Sequence, residues 1–334
     1  MNLNIIEKIN CNQFEIKGGF IFSITDNCFF IDNKIINNKN CSLRGFYDEK
    51  IMIFEEDRFE TYIYDFNGLL VKHILEFGIT ILDRISQHKY LIGINDGDNI
   101  FKAIYDFEQF QIVKKFGKIG LNSFNVFSND FLISKSKEKI GLFNFENEII
   151  WQQSFSDLLP SQETNEISIS QEIIEISNVI YFTLNTNNKN ICFGLDSETG
   201  KVVKQFPNIL GDLIQENEYI YFLYYNSITR LNTTNDTIEK WDIQDLLDKE
   251  DIGYLYFPRW AVLDGQIYFS QTKGSDIHSG KIGARFGILD FNKRELIFKD
   301  QLDPKYGTIG SIKVSKERLY LHTQDSTLHV FEKE

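Results

Sequence analysis

The chain has 334 residues, of which 42% are hydrophobic and 25% charged, so it can bury a large core and lacks the composition of a disordered or fibrous protein. Its 48 acidic residues outnumber its 35 lysines and arginines, and the net charge of -13 disfavours binding to nucleic acids and to anionic membranes. A basic protein or a cationic ligand is the kind of partner that this charge favours.

The residue types predict strands rather than long helices. Only three alanines occur, against 30 phenylalanines and 15 tyrosines. Alanine is the best helix former, whereas aromatic and β-branched side chains suit a pleated sheet. We therefore expect an all-β fold.

The first residues carry no recognisable export signal. The segment Met1–Lys8 lacks a charged start, a continuous apolar core and a small-residue cleavage site. No uncharged apolar run approaches the ~18 residues that a membrane-spanning helix needs. We expect a cytoplasmic protein whose four cysteines, which form no Cys-x-x-Cys pair, remain free thiols.

A short apolar strand recurs along the whole chain. Successive copies begin 31, 39, 41, 49, 40, 47 and 52 residues apart, which averages about 43 and matches the length of one β-propeller blade. The copies begin at Phe20, Ile51, Tyr90, Phe131, Ile180, Ile220, Ile267 and Leu319. Further short strands flank each copy and complete a four-stranded antiparallel unit. We predict one β-propeller domain over residues 1–334, with eight blades favoured and seven as the alternative count.

A turn headed by Asp or Asn follows the strand that comes after each of the first seven copies. These residues tolerate left-handed backbone geometry, and their side chains bond nearby backbone amides. The turn heads are Asp32, Asp65, Asp106, Asn144, Asp196, Asn232 and Asp290. The most complete turn, Leu195-Asp196-Ser197-Glu198-Thr199-Gly200-Lys201, resembles the repeat of the pyrroloquinoline-quinone-like (WD40-like) β-propellers.

This resemblance implies a propeller fold, but the residues do not extend it to quinone chemistry. Quinone-dependent dehydrogenases of this superfamily carry a tryptophan late in most blades, whereas here only Trp151 and Trp241 fall near that position. Those enzymes are also exported and bind calcium beside the quinone. We expect neither a quinone nor a metal in this chain.

The longest aromatic insertion in the repeat covers residues 244–260. It contains Tyr254, Tyr256, Arg259 and Trp260. Functional residues often lie in insertions on a rigid scaffold, and tyrosine, tryptophan and arginine often anchor protein interfaces. We predict a partner-binding surface here. The alternative is that the aromatic residues fill the joint between two blades.

Two other insertions interrupt the repeat. Residues 156–170 are polar and predict a long connection between blades. Residues 273–281 form a Gly/Ser-rich hairpin tip that includes His278. We assign His278 to the partner-binding surface and expect its loop to act as a contact loop or a lid.

The sequence nominates no catalytic or metal centre. It contains no nucleophile-elbow, phosphate-loop, dinucleotide-binding or zinc-protease motif. His322 and His329 lie in the last predicted hairpin, where one spacing would let them share a metal, but ordinary hydrogen bonding is the commoner role of strand histidines. The acidic run Glu55-Glu56-Asp57 is expected in a solvated turn.

We therefore predict a monomeric, non-catalytic bacterial scaffold, such as an immunity or accessory protein, that binds a protein partner. The alternative is a hydrolase or lyase with a site in the central channel, which a convergence of three or more carboxylates, histidines or arginines would favour. The last blade has only three strands near the C-terminus. We predict that residues 3–9 close it by pairing beside the strand Leu328–Phe331.

Overall fold

The computed structural model describes residues 3–25, 28–37, 40–75, 77–95, 100–116, 123–128, 131–136, 138–146, 148–159, 167–170, 172–186, 189–271 and 281–334. Within them the fold is all-β, with eight antiparallel sheets arranged as a β-propeller, so the favoured count of eight blades is confirmed. The described residues contain two short α-helices, α1 (Phe155–Leu158) and α2 (Gln244–Lys249), and a 3-10 helix at Pro304–Tyr306. No helix in this part of the chain is long and apolar enough to cross a membrane.

The first four sheets lie in a compact unit that spans Asn10–Gln153. Sheet 1 contains β2 (Gln13–Lys17), β3 (Phe20–Thr25), β4 (Cys28–Ile31) and β5 (Lys34–Asn37). Sheet 2 contains β6 (Cys41–Tyr47), β7 (Lys50–Glu55), β8 (Glu60–Asp65) and β9 (Leu70–Ile74). Sheet 3 contains β10 (Gly78–Arg84), β11 (Lys89–Asn95), β12 (Ile100–Asp106) and β13 (Gln111–Lys115). Sheet 4 contains β14 (Ser123–Ser128), β15 (Phe131–Lys135), β16 (Lys139–Asn144) and β17 (Ile149–Ser154).

The other four sheets lie in a second compact unit, formed by Met1–Ile9 together with Ser154–Glu334. Sheet 5 contains β18 (Ser168–Ile169) and β19 (Ile174–Ile176), which both pair with β20 (Val179–Asn185), then β21 (Asn190–Asp196) and β22 (Val202–Pro207). Sheet 6 contains β23 (Asp212–Glu216), β24 (Tyr219–Tyr224), β25 (Ser227–Asn232) and β26 (Ile238–Asp242). Sheet 7 contains β27 (Leu255–Leu263), β28 (Gln266–Gln271), β29 (Arg285–Asp290) and β30 (Glu295–Gln301). Sheet 8 contains β31 (Ile309–Val314), β32 (Arg318–Thr323), β33 (Thr327–Lys333) and β1 (Leu3–Asn10).

The second strand of a sheet carries the recurring apolar run and is deeply buried. Strand β7 buries five of its six residues and β24 buries four of six, whereas the edge strand β9 buries one of five. A strand that is covered on both faces has a continuous apolar sequence instead of an alternating one. This is why the repeat could be found from short runs such as Ile51-Met52-Ile53-Phe54.

Neighbouring sheets within each unit share a hydrophobic core. In the first unit Phe22 of sheet 1 packs on Phe66, which follows sheet 2, with ring centroids 4.8 Å apart. In the second unit Tyr221 of sheet 6 contacts Phe291, which follows β29 of sheet 7, edge to face at 5.8 Å. Aromatic side chains thus supply much of the buried area between sheets.

The Asp and Asn turn heads hold the turns by side-chain hydrogen bonds. The Asp196 carboxylate accepts from the amide and hydroxyl of Thr199, at 2.8 and 2.6 Å, and Gly200 follows with a φ of 69°. These bonds lower the pKa of Asp196. Backbone amides two or three residues on also donate to Asp65, Asp106, Asn144, Asn232 and Asp290. Asp32 differs, because it accepts from the distant amide of Ile21.

The N-terminal strand lies beside the C-terminal strand in sheet 8. Strand β1 is the edge strand of that sheet and pairs with β33. Leu3 packs against the core of sheets 7 and 8, and the Lys8 ammonium donates to the Tyr306 hydroxyl at 2.9 Å. Ile5 and Ile6 stay 46% and 45% exposed, as expected at a sheet edge. The two ends of the chain therefore stabilise one sheet.

Deletion of residues 1–10 should lower the stability of the second unit. The deletion removes the Leu3 packing and the Lys8–Tyr306 hydrogen bond, and it uncovers the β33 edge, which then becomes a site for aggregation. Urea denaturation and light scattering of the truncated protein measure both effects. An unchanged unfolding midpoint would contradict this role for β1.

His329 is the most deeply buried histidine of sheet 8. Its side chain is fully buried, its Nε2 lies 3.2 Å from the Thr323 hydroxyl, and its ring packs edge to face on Tyr306 at 4.4 Å. Burial, assisted by the positive charge of Lys8, lowers the pKa of His329 from 6.5 to about 4. The imidazole is therefore neutral in the folded protein at neutral pH.

This lowered pKa predicts a loss of stability on mild acidification. Because the unfolded chain binds a proton at His329 near pH 6.5 and the folded chain only near pH 4, stability falls as the pH drops through this window. The expected loss from pH 7 to pH 5 is about 2 kcal/mol. Urea titrations of the wild type and of His329→Phe at both pH values measure it. Equal losses in the two proteins would exclude His329 as the cause.

Candidate functional site

The insertion at residues 244–260 forms an ordered platform on the second unit. Helix α2 buries Leu247, and the chain after it buries Ile252 and Leu255 in the core of sheets 6 and 7. The Ile243 amide donates to the Asn226 carbonyl at 2.9 Å, and the Leu255 amide donates to the Tyr225 carbonyl at 2.8 Å. These two backbone hydrogen bonds connect the insertion to the β24–β25 hairpin.

Three tyrosines cluster where the insertion meets this hairpin. The Tyr254 side chain is 49% exposed and contacts Tyr225 with ring centroids 5.8 Å apart, and Tyr225 contacts Tyr224 at 4.5 Å. Tyr225 has a φ of 43°, a left-handed conformation that is unusual for a bulky residue and turns the chain at the hairpin tip. The sequence analysis singled out Tyr254 and missed Tyr224 and Tyr225. The adjacent tyrosines at a strand end were the signal that could have pointed to them.

Strand β27 contains a large irregular bulge opposite β28. Leu255 pairs with Gln271 and Trp260 pairs with Phe269, so residues 256–259 lie opposite Ser270 alone. Bulges change the direction of side chains and often lie beside functional sites. Arg259 is exposed in this bulge, and its carbonyl accepts from the Ser270 hydroxyl at 3.3 Å. Tyr256 shares the bulge, but its side chain lies outside the described part of the structure.

Trp260 has a different role from its exposed neighbours. Its side chain is only 8% exposed and belongs to the core of sheets 6 and 7, together with Leu255 and Phe269. A buried ring cannot anchor a partner, so the core alternative holds for Trp260. His278 and its loop, residues 272–280, lie outside the described residues.

Asp212, at the start of β23, interacts electrostatically with Glu172 and Arg259. Asp212 is half-buried, and its pKa is raised by burial and by the nearby charge of Glu172, while Arg259 opposes the rise. Asp212 pairs with Leu223, the residue before Tyr224. We define the insertion surface as Tyr224, Tyr225, Tyr254 and Arg259.

A cleft of about 310 Å³ opens beside the insertion. The chain after α2 supplies Glu250 and Ile252 to its lining, and strands β29 and β30 supply Arg285, Lys299 and Asp300. Its volume is at the lower limit of typical ligand sites. The cleft and the insertion surface therefore share one supporting segment.

The described residues offer no metal site, and three of the four cysteines are buried thiols. No group of three or more metal-ligating side chains is present among them. His322 pairs with Leu328 and His329 with Leu321, so the two histidines lie on opposite faces of sheet 8. All four cysteines are free, as expected, and burial raises the pKa of Cys11 to about 12.

One carboxylate expected in a solvated turn is buried instead. Glu55 ends strand β7 with 6% exposure and accepts a hydrogen bond from the Tyr62 hydroxyl at 3.0 Å. Glu60 also lies 2.6 Å from this hydroxyl and 2.9 Å from His73, whose ring stacks on Tyr62. The expectation for Glu55 was wrong because a partner from the next strand compensates its burial.

Comparisons with known proteins support the fold. BamB from Moraxella catarrhalis superimposes with a TM-score of 0.61 at 11% identity, over 99% of this chain and 100% of BamB. The computationally designed Ika8 protein gives 0.60 at 10% identity, over 98% of each chain. Both share the propeller fold with this chain. No family model and no curated protein sequence matches it.

Alanine substitutions should separate the buried part of the insertion from its exposed part. Trp260→Ala empties a core position and should lower the free energy of unfolding by about 3 to 5 kcal/mol. Tyr254→Ala should change it by no more than ~1 kcal/mol, because the ring is half exposed. Urea denaturation of both variants measures the difference. Similar losses would mean that Tyr254 also belongs to the core.

Proposed function

We propose that this chain is a single, monomeric β-propeller domain that binds a protein partner through the insertion surface and has no catalytic activity. The tyrosine cluster carries this proposal, with Tyr254 exposed and Tyr224 and Tyr225 partly buried behind it. Tyr254, Tyr225 and Tyr224 contact one another in series, and Tyr254 leaves half of its surface uncovered. Tyrosine combines a large apolar area with a hydroxyl and loses little conformational entropy on binding, so it is common at interface centres.

The rigid support of this cluster also favours binding. The Tyr225 carbonyl accepts a hydrogen bond from the Leu255 amide of the insertion. Ile252 and Leu255, on either side of Tyr254, are buried. Ring positions that are set before association reduce the entropy that binding costs. A partner would therefore meet a preformed surface.

The charge of the chain supports a basic partner. The net charge is -13, and the Asp212–Glu172 pair next to Arg259 leaves one carboxylate in excess beside the insertion surface. Opposite charges accelerate association and orient the partners. A cytoplasmic bacterial immunity or accessory protein that covers a basic partner fits these features, and the Asp196 turn supports a repeat of the pyrroloquinoline-quinone-like type.

An enzyme of the hydrolase or lyase class is the second candidate. The observation that favours it is the grouping of Asp212 with Glu172 and Arg259, in which burial and the charge of Glu172 raise the pKa of Asp212, because acid–base catalysis uses carboxyl groups with shifted pKa values. Glu172 and Arg259 are the groups that would act with Asp212. We prefer the binding function, because the tyrosine cluster has no role in this alternative.

Loss of two side chains from the insertion surface should abolish partner capture without unfolding the protein. In affinity purification from the native host, Tyr254→Ala/Arg259→Ala should recover at least tenfold less of the specific partner than the wild type. The captured partner is then purified, and its affinity for each variant is measured by calorimetry. The free energy of unfolding should stay within ~1 kcal/mol of the wild-type value.

A matched control is available in the first unit. Arg58 and Phe59 form an exposed arginine–aromatic pair in the β7–β8 turn, with Arg58 65% and Phe59 38% exposed. Arg58→Ala/Phe59→Ala should retain wild-type capture. Equal capture by both double variants would disprove the proposed surface.

A further inference from the structure

Helix α2 ends in a tight turn that leads the chain into Tyr254. The Ile252 amide donates to the Leu247 carbonyl at 2.8 Å, and the Asp251 amide donates to the Asp248 carbonyl at 3.3 Å. Asp251 has a φ of 51°, so the helix has the left-handed ending that glycine usually makes. Ile252 and Leu247 both lie in the core of sheets 6 and 7, which completes this motif. Tyr254 follows the turn after two further residues.

The charges at this helix end need compensation. Glu250 and Asp251 place two carboxylates at the C-terminal end of α2, where the unpaired carbonyl groups already carry partial negative charge. Lys249 is the basic residue of the last helical turn, but its side chain is 77% exposed and lies 3.7 Å from Glu250. Further positive charge therefore has to come from another element of the fold.

Sheet 7 supplies this charge through two cations. The Lys299 ammonium lies 2.8 Å from the Glu250 carboxylate and donates to the Glu250 carbonyl at 2.9 Å. The Arg285 guanidinium donates to the Asp251 carboxylate at 2.9 Å. Lys299 pairs with Gly287, two residues after Arg285, so both cations lie on the same face of the sheet.

This face of sheet 7 is the one against which the insertion packs. Gly287 also pairs with Phe269, which belongs with Ile252 to the core of sheets 6 and 7. The hydrogen bond from Lys299 is the main cause of a lowered pKa of Glu250. The two cations and the core therefore hold the same short segment of the insertion.

We propose that Arg285 and Lys299 are positioning residues of the insertion surface, which hold the turn after α2 so that Tyr254 is presented to the partner. The proposal rests on the proposed function, because it takes the role of Tyr254 from it. An isolated exposed ion pair adds little to the stability of a whole protein, so the effect is expected on the local order of the turn. A turn that is ordered before association lowers the entropy that binding costs.

The free protein tests this positioning without the partner. Arg285→Gln/Lys299→Met removes both charges and keeps most of each side chain. Hydrogen exchange at the Ile252 and Leu255 amides, measured by NMR, should become at least tenfold faster, because the turn opens more often. Arg285→Lys/Lys299→Arg keeps both charges and should remain within threefold of the wild type. Unchanged exchange at both amides in the first variant would overturn the proposal.

A matched control removes the same charges in the first unit. Arg84 pairs with Asp48 at 3.5 Å, and Lys114 pairs with Glu146 at 2.6 Å. Arg84→Gln/Lys114→Met should leave exchange at Ile252 within twofold of the wild type. Equal acceleration by this control would overturn the proposal in favour of a general effect of net charge.

The purified partner separates this proposal from the function on which it rests. Arg285→Gln/Lys299→Met should lower its affinity at least fivefold, whereas a purely stabilising role would leave the affinity of the folded protein unchanged. If the partner binds this variant as tightly as the wild type and still requires Tyr254, then the positioning proposal fails and the proposed function stands. If capture requires neither Tyr254 nor Arg259, then the proposed function fails and this proposal fails with it.

A second substitution shows whether the two cations act through Tyr254. In the Tyr254→Ala protein, Arg285→Gln/Lys299→Met should lower the affinity by no more than a further twofold, because the ring that they position is already absent. A full additional loss would mean that Arg285 and Lys299 contact the partner themselves, and it would overturn their assignment as positioning residues.

Discussion

Burial of both faces of each middle strand is the constraint on which the rest of this structure depends. A four-stranded sheet cannot cover its own faces, so its large side chains must pack against a neighbouring sheet. Tyr221 and Phe222 are consecutive residues of β24 and both are fully buried, because Tyr221 packs toward sheet 7 and Phe222 toward sheet 5. The aromatic-rich composition follows directly from this arrangement.

The same packing allows the insertion to carry exposed side chains in fixed positions. Leu247, Ile252 and Leu255 are held in the core of sheets 6 and 7, and the segment between them has little freedom. Tyr254 is therefore half exposed on a segment whose neighbours are packed in the core. A binding surface on such a segment costs little stability, because burial of its neighbours compensates for ordering it.

The charges near the insertion surface favour a basic partner. The chain as a whole is strongly acidic, but the residues around the insertion are arranged in pairs, such as Lys299 with Glu250 and Arg285 with Asp251. Local excess, more than total charge, determines where a basic group binds, because the interaction of solvent-exposed charges decays within about 10 Å at moderate salt.

The sequence by itself determined the features that depend on local chemistry. The Asp196 turn needs a side-chain acceptor followed by a glycine with positive φ, and each middle strand needs a continuous apolar run. Both features are recognisable as sequence patterns within about ten residues. The all-β class, the blade repeat and the count of eight were predicted from these sequence patterns. The insertion around Tyr254 was visible for the same reason, because it interrupts a regular period.

Only the tertiary structure decided which side chains of that insertion are available. Trp260 and Tyr254 lie six residues apart in one aromatic segment, yet one fills the core and the other reaches solvent, because a bulge of β27 separates them. Tyr225 reaches Tyr254 across 29 residues, and Arg285 pairs with Asp251 of the insertion across 34. Such contacts depend on how sheets pack against one another, and no local pattern in a single sequence encodes that packing.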